Sequence, residues 1–181
     1  MPLALLVDKI TEANECGKLS LAIFVDLKKA FDTLDHNLLI SKLEHYGIRG
    51  LPLSLIKDYL TNRSQCVSYN GVISTDLPII TGVPQGSILG PLLFILYIND
   101  IVNVSTLFQI FLFADDTTLL KSDKDLPQLI GYVNKELVKL NTWFYVNKLS
   151  INIDKTKYVI FGCSRRNTVK NDLICSYVII S

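Results

Sequence analysis

Residues 111–120 read FLFADDTTLL, two adjacent aspartates inside a run that is otherwise apolar or β-branched. Such a run folds as a strand with a core to face. A core strand cannot carry neighbouring carboxylates inward, because a buried unpaired charge costs far more than one side chain's packing returns. The pair must stand at a strand end or in a turn. A second run, LAIFVDL at 21–27, has the β-branched and aromatic character of a fully buried strand and holds one carboxylate, Asp26, near its end. Together the two runs commit the chain to a sheet with acidic residues at its margin.

Other elements follow from local signals. Asp35 is placed to cap a helix in which Leu38, Leu39, Leu43 and Tyr46 share a face and Gly47 is the stop. Pro52 suits the first turn of another helix, with Leu55, Ile56, Tyr59 and Leu60 as its apolar positions. Gln65–Ile73 contains Asn70-Gly71, a strong hairpin signal, and should point outward. From Thr81, TGVPQGSILGP is a glycine and proline loop leading into a buried helix over 92–101. Phe108–Phe113 and Thr117–Lys121 read as strands joined at Ala114-Asp115-Asp116, with both carboxylates at the tip. Leu129, Ile130, Val133, Leu137, Leu140 and Phe144 keep helical spacing, and a last strand is predicted at Lys157–Phe161. Strand, two helices, hairpin, helix, hairpin, helix and strand make an α+β fold, a small antiparallel sheet packed on helices.

At 181 residues, 49% of them hydrophobic, the chain suits one domain, 1–181. Eighteen Lys and Arg against 17 Asp and Glu give a net charge of +1, so a polyanion partner must be held by local patches or by metal ions. The four cysteines show no CxxC spacing or dense framework and read as reduced thiols. The N-terminus lacks a basic leader and a small-residue cleavage site, so the expectation is an intracellular protein of cytoplasm or nucleus, not a secreted one. Ile88–Ile98 falls short of the roughly 20 residues a bilayer requires. Gly82, Gly86 and Gly90 have the spacing of a membrane-helix seam, but Pro84 and Pro91 break any continuous helix across them.

If neighbouring central strands bring Asp26 to Asp115 and Asp116, each like-charge pair at ~5 Å costs roughly 3 kcal/mol at an effective dielectric of about 20. Such a cluster takes up protons or binds cations. Carboxylates without His or Cys companions favour a hard ion, Mg²⁺ or Mn²⁺, over zinc. An isolated Asp-Asp turn is also a common solvated loop, so other residues have to decide.

FVDLKKAFDTLDH (24–36), GVPQGSILGPLLFILYIND (82–100) and FADDTTLL (113–120) resemble three successive signature blocks of reverse transcriptases, and LSINIDKTKYVIF (149–161) resembles the block that follows. The match is nearest to retrotransposons that lack long terminal repeats. The resemblance implies a polymerase palm with Asp26, Asp115 and Asp116 as catalytic ligands of two Mg²⁺ ions, or Mn²⁺ in their place, and the Leu27 carbonyl as a further ligand. It implies that Phe31 is the aromatic gate that excludes a ribose 2′-hydroxyl. Gln85 and Gly86 fall on the loop that contacts nucleotide and template, where Gly82 and Gly86 would let backbone approach nucleic acid. Lys155 matches a lysine near the triphosphate.

RNA template, DNA primer and deoxynucleoside triphosphates are the implied partners, with no membrane and the oligomeric state open. Lys148, Lys155, Lys157, Arg165, Arg166 and Lys170 form a basic stretch that could follow a nucleic-acid backbone or face solvent. His36 and His45 read as structural. Fingers and thumb are expected to be largely absent, so the chain reads as a palm fragment of a larger polyprotein or a decayed element. The alternative function is a noncatalytic nucleic-acid-binding palm fragment.

Overall fold

The computed structural model describes residues 2–84 and 86–162. In chain order the elements are α1 (Pro2–Glu15), β1 (Leu19–Val25), α2 (His36–His45), α3 (Leu51–Leu60), β2 (Ser64–Gln65), β3 (Ser68–Tyr69), β4 (Val72–Ile73), β5 (Leu77–Pro78), α4 (Leu89–Ile98), β6 (Gln109–Phe113), β7 (Asp116–Asp123), α5 (Leu126–Val146) and β8 (Lys157–Phe161); a 3₁₀ turn, Asn99–Asn103, follows α4. Two compact units divide at Lys28/Lys29 and Asn99/Asp100, with Lys29–Asn99 forming the second.

The first unit is built on an antiparallel sheet of order β6-β7-β1-β8. β1 pairs with β7 from Leu19↔Asp123 to Val25↔Thr117 and with β8 from Ser20↔Phe161 to Phe24↔Lys157. The LSLAIFV sequence suits this interior place because both of its faces are covered. Leu6 of α1 packs with Ala22 and Leu120, with Ile10, Phe24, Phe111 and Phe161 at the edge of that cluster. Leu21, Ile23 and Leu119, of the alternate register, are as fully buried. Burying each of these side chains contributes about 1.5–3 kcal/mol.

Helix α5 is capped by Asp125, whose side chain accepts from the Gln128 amide, and Pro127 sits in its first turn. It ends where Lys148 turns left-handed at φ +54° and the Leu149 amide reaches back to the Phe144 carbonyl at 2.9 Å. Its buried stripe is Leu129, Val133, Glu136, Leu140 and Phe144, so a carboxylate stands where a purely apolar face was predicted. Burial pushes the Glu136 carboxyl up, but hydrogen bonds from the Lys139 ammonium at 2.6 Å and from Ser105 outweigh it and hold the group below its usual range.

In the second unit α2 begins as its sequence foretells, with the Asp35 carboxylate accepting from the Leu38 amide at 2.9 Å. It ends at Gly47, φ +91°, with the Ile48 amide bonded to the Leu43 carbonyl. α2 packs against α3 and α4, and the Lys42 ammonium lies over the Tyr97 ring and donates to its carbonyl at 2.7 Å. In α3 the buried residues are Leu53 and Leu60, whereas Leu55 is exposed. Asn70 and Gly71, at φ +49° and +78°, make the type I′ turn between β3 and β4, which stand fully exposed. A further pair, β2 with β5, continues this hairpin beyond the predicted limits.

Helix α4 starts three residues earlier than its sequence suggested. Pro91 falls in the first turn, where its missing N–H costs nothing, and the Gly90 amide is taken by the Ser87 hydroxyl at 3.0 Å. Among the described residues no helix is long and apolar enough to cross a membrane. Cys16 and Cys66 are free and exposed. Cys163, Cys175, Arg165, Arg166 and Lys170 lie outside the described residues.

Candidate active site

Register brings the acidic positions to one end of the sheet. Val25 pairs with Thr117, so Asp26, just past the end of β1, and Asp116, the first residue of β7, are next in line. Asp116 also pairs with Phe113, which leaves only Ala114 and Asp115 in the β6–β7 loop. The expectation of both carboxylates at a hairpin tip is therefore corrected. Asp115 is on the tip, and Asp116 is a strand residue, because the loop holds two residues and not three.

That loop is strained. Ala114 has φ +52°, the value a two-residue hairpin demands of its first central residue and one that favours glycine. A side chain there costs about 1–2 kcal/mol. Both carboxylates, Asp115 in the loop and Asp116 at the start of β7, are exposed.

Asp26 is held by its backbone. Its N–H donates to the Thr156 hydroxyl at 3.2 Å and its carbonyl accepts from the Asn152 amide at 2.8 Å. The Thr156 hydroxyl in turn donates to the Asn152 carbonyl at 2.8 Å. Leu27 bridges to Ile151, and the Lys28 amide donates to the Ser150 carbonyl at 2.8 Å. The 149–161 block thus wraps the Asp26 main chain, a role for Asn152 and Thr156 that the sequence did not disclose. Lys155 lies in the exposed turn between them.

The donor set is all oxygen, which fits a hard divalent cation and not zinc. The backbone gathers the three positions. The side chains do not close on one another: among the described residues no three of His, Cys, Asp and Glu are arranged to hold a metal ion.

The other predicted residues belong to the second unit. Phe31 is half-buried, its ring 4.9 Å from that of Phe94 in a tilted stack. Its carbonyl accepts from the Val83 amide at 2.8 Å. Gly82 donates to the Leu34 carbonyl at 2.8 Å, and its own carbonyl takes the His36 Nε2–H at 2.7 Å. The Thr81 hydroxyl donates to the Asp32 carbonyl at 3.1 Å.

Gly82, at φ +84°, has a reason other than close approach of nucleic acid: a Cβ there would lie 2.7–2.9 Å from the Asp32 backbone. Gly86, at φ +80°, has open space where its Cβ would be, and Gln85 lies outside the described residues. Lys29, Asp32, Arg63, Gln65, Thr81 and Pro84 line part of a cleft of about 660 Å³ beside this loop, to which none of the three aspartates contributes.

An antiparallel sheet with helices against it and acidic residues gathered at one end of its central strands is the framework of a nucleic-acid polymerase palm. Two solved telomerases share this fold. That of Candida albicans superposes with a TM-score of 0.61 at 17% identity, covering 86% of this chain and 31% of that one. That of Candida tropicalis gives 0.64 at 14% identity, covering 91% and 36%. The family model described as reverse transcriptase (RNA-dependent DNA polymerase) matches residues 2–172, and the chain belongs to that family. It is 29% identical over 167 residues to the probable RNA-directed DNA polymerase from transposon X-element of Drosophila melanogaster, and 30% identical over 158 to that from mobile element jockey of the same fly. These alignments cover 88% and 83% of this chain but only 18% and 17% of the relatives.

Proposed function

We propose that the chain is the palm of a retrotransposon RNA-directed DNA polymerase, which joins a primer 3′-hydroxyl to the α-phosphate of a deoxynucleoside triphosphate on an RNA template and releases pyrophosphate. The observation that carries this reading is the strand register that places the backbone positions of Asp26, Asp115 and Asp116 at one end of β1 and β7, beside a strained turn, in a member of the reverse transcriptase family. Asp26, Asp115, Asp116 and the Leu27 carbonyl would hold two Mg²⁺ ions, or Mn²⁺, which when bound activate the attacking hydroxyl and neutralise the leaving phosphate.

The residues divide the remaining work. The Asn152 and Thr156 bonds hold the Asp26 main chain still, which is what a ligand at a rigid strand end requires. The Phe31 ring, backed by Phe94, would exclude a ribose 2′-hydroxyl and so select deoxynucleotides. Gln85 and Gly86 would meet nucleotide and template, and Lys155 the triphosphate. The reaction needs RNA and nucleotides, so it belongs inside the cell, in cytoplasm or nucleus.

Primer extension by the 181-residue chain on an RNA template, with and without Mg²⁺, tests the reading. Mg²⁺-dependent incorporation should disappear in Asp115→Asn while the far-ultraviolet circular dichroism is unchanged. Extension that survives this substitution would remove Asp115 from the site, and a parent chain that extends no primer in Mg²⁺ or Mn²⁺ would count against polymerase activity in the chain by itself.

A further inference from the structure

We propose that His36 is a positioning residue for the Phe31 gate, acting through the single peptide plane that joins Gly82 to Val83. The carbonyl of that peptide accepts from His36 Nε2 at 2.7 Å, and its N–H donates to the Phe31 carbonyl at 2.8 Å. A peptide unit is rigid, its C=O and N–H directed oppositely, with rotation about the C–N bond barred by ~18–20 kcal/mol. Holding the oxygen therefore aims the hydrogen. His36 fixes one end of this plane, and the other end anchors the backbone of the gate.

Both supports of the plane are themselves fixed. His36 is the first residue of α2, directly after the Asp35 cap, and that helix is pinned by the fully buried Leu39 and Leu43. On the other side the Phe31 ring rests on Phe94, which is fully buried in α4. Between them Gly82 lies so near the Asp32 backbone that it admits no side chain, and it donates to the Leu34 carbonyl. The turn 31–36 and the segment 81–83 are therefore closed on each other by four hydrogen bonds, of which the one from His36 is the only one supplied by a ring.

The chemistry of the bond defines the tautomer. A carbonyl oxygen only accepts, so Nε2 must carry hydrogen. Without the imidazole the part-buried Gly82 oxygen loses its donor, and the plane can rotate about its flanking φ and ψ, most readily at a glycine. The gate's carbonyl then loses its aimed partner. What the gate selects rests on the polymerase reading above; the mechanical link does not.

Three measurements on the 181-residue chain test the link. In the parent, ¹⁵N-histidine spectra should give His36 as the Nε2–H tautomer, and an Nδ1–H tautomer overturns the proposal whatever any variant does. In His36→Phe, amide exchange at Val83 should quicken by about tenfold, the loss of one hydrogen bond's protection, and His36→Gln, which keeps an N–H donor, should restore most of it. Unchanged Val83 exchange in a folded His36→Phe also overturns it. In primer extension His36→Phe should raise ribonucleotide use relative to deoxynucleotide several-fold, with partial rescue in His36→Gln. A merely structural loss would lower both alike, and that outcome refutes the positioning role. A parent that incorporates no nucleotide would refute the polymerase reading instead, with tautomer and exchange still deciding the link.

Discussion

Gly82 and Gly86 share a positive φ, +84° and +80°, but only at Gly82 would an added Cβ meet other atoms within 4 Å. This pair allows two costs to be separated by experiment. Replacing either with alanine places a Cβ in the left-handed region, for about 1–2 kcal/mol. At Gly86 nothing lies within 4 Å of the new atom, so the cost should stop there. At Gly82 the new Cβ would meet Asp32 O at 2.7 Å, Cα at 2.8 Å and C at 2.9 Å, all backbone atoms that cannot swing aside as a side chain would. Forcing that overlap adds about 1–3 kcal/mol. Gly82→Ala should therefore destabilise the chain by roughly 2–5 kcal/mol and exceed Gly86→Ala by the overlap alone. At about 2–4 °C per kcal/mol for a chain of this size, the difference is a fall in Tm of about 2–12 °C. Urea and thermal unfolding followed by circular dichroism would measure it. Equal losses in the two variants would refute the reasoning, because the Asp32 contact would then carry no energy.

Glu136 yields a prediction in pH. Its carboxyl is held below the unfolded-chain value, so its contribution is present in full above that value and is lost as pH falls through the folded one. Glu136→Gln should cost about 1–2 kcal/mol at neutral pH and flatten the acid limb of the stability curve; an unchanged limb in urea titrations would contradict it. Asp35→Ala removes the 2.9 Å cap bond to Leu38 and should cost ~1 kcal/mol by the same assay, with no loss refuting the cap. Phe31→Val should increase ribonucleotide incorporation in primer extension, and unchanged sugar selectivity would remove the gate.

Features set by neighbours in sequence were readable in advance. The Asp35 cap, the Gly47 stop, the Asn70-Gly71 turn and β8 at Lys157–Phe161 fall where local rules put them. So does the α+β class, and so does the family, whereas helix α1 ahead of β1 has no place in the predicted order. Register was harder. Whether the β6–β7 loop holds two residues or three depends on pairing across strands, and that choice moves Asp116 from the tip into β7. Leu53 and Leu55 are equally apolar in sequence, and only the packing of α3 buries the one and exposes the other. Glu136 breaks an apolar stripe because Lys139 and Ser105 favour its charged form, partners that a hydrophobic pattern does not register. The roles of Gly82, His36 and Thr156 each depend on a residue more than 40 positions away, and their only signal is that each stands inside one of the quoted blocks.

Among the described residues the grip on Asp26 is made through its main chain, by Thr156 and Asn152. Shape and chemistry are consequently separable at this position. On the proposed reading, exchanging the carboxylate for an amide would remove a metal ligand and leave these main-chain bonds intact. If that reading holds, a copy changed in this way would fold, melt and resist proteolysis like its unaltered sibling, and neither conformation nor abundance would betray the lesion.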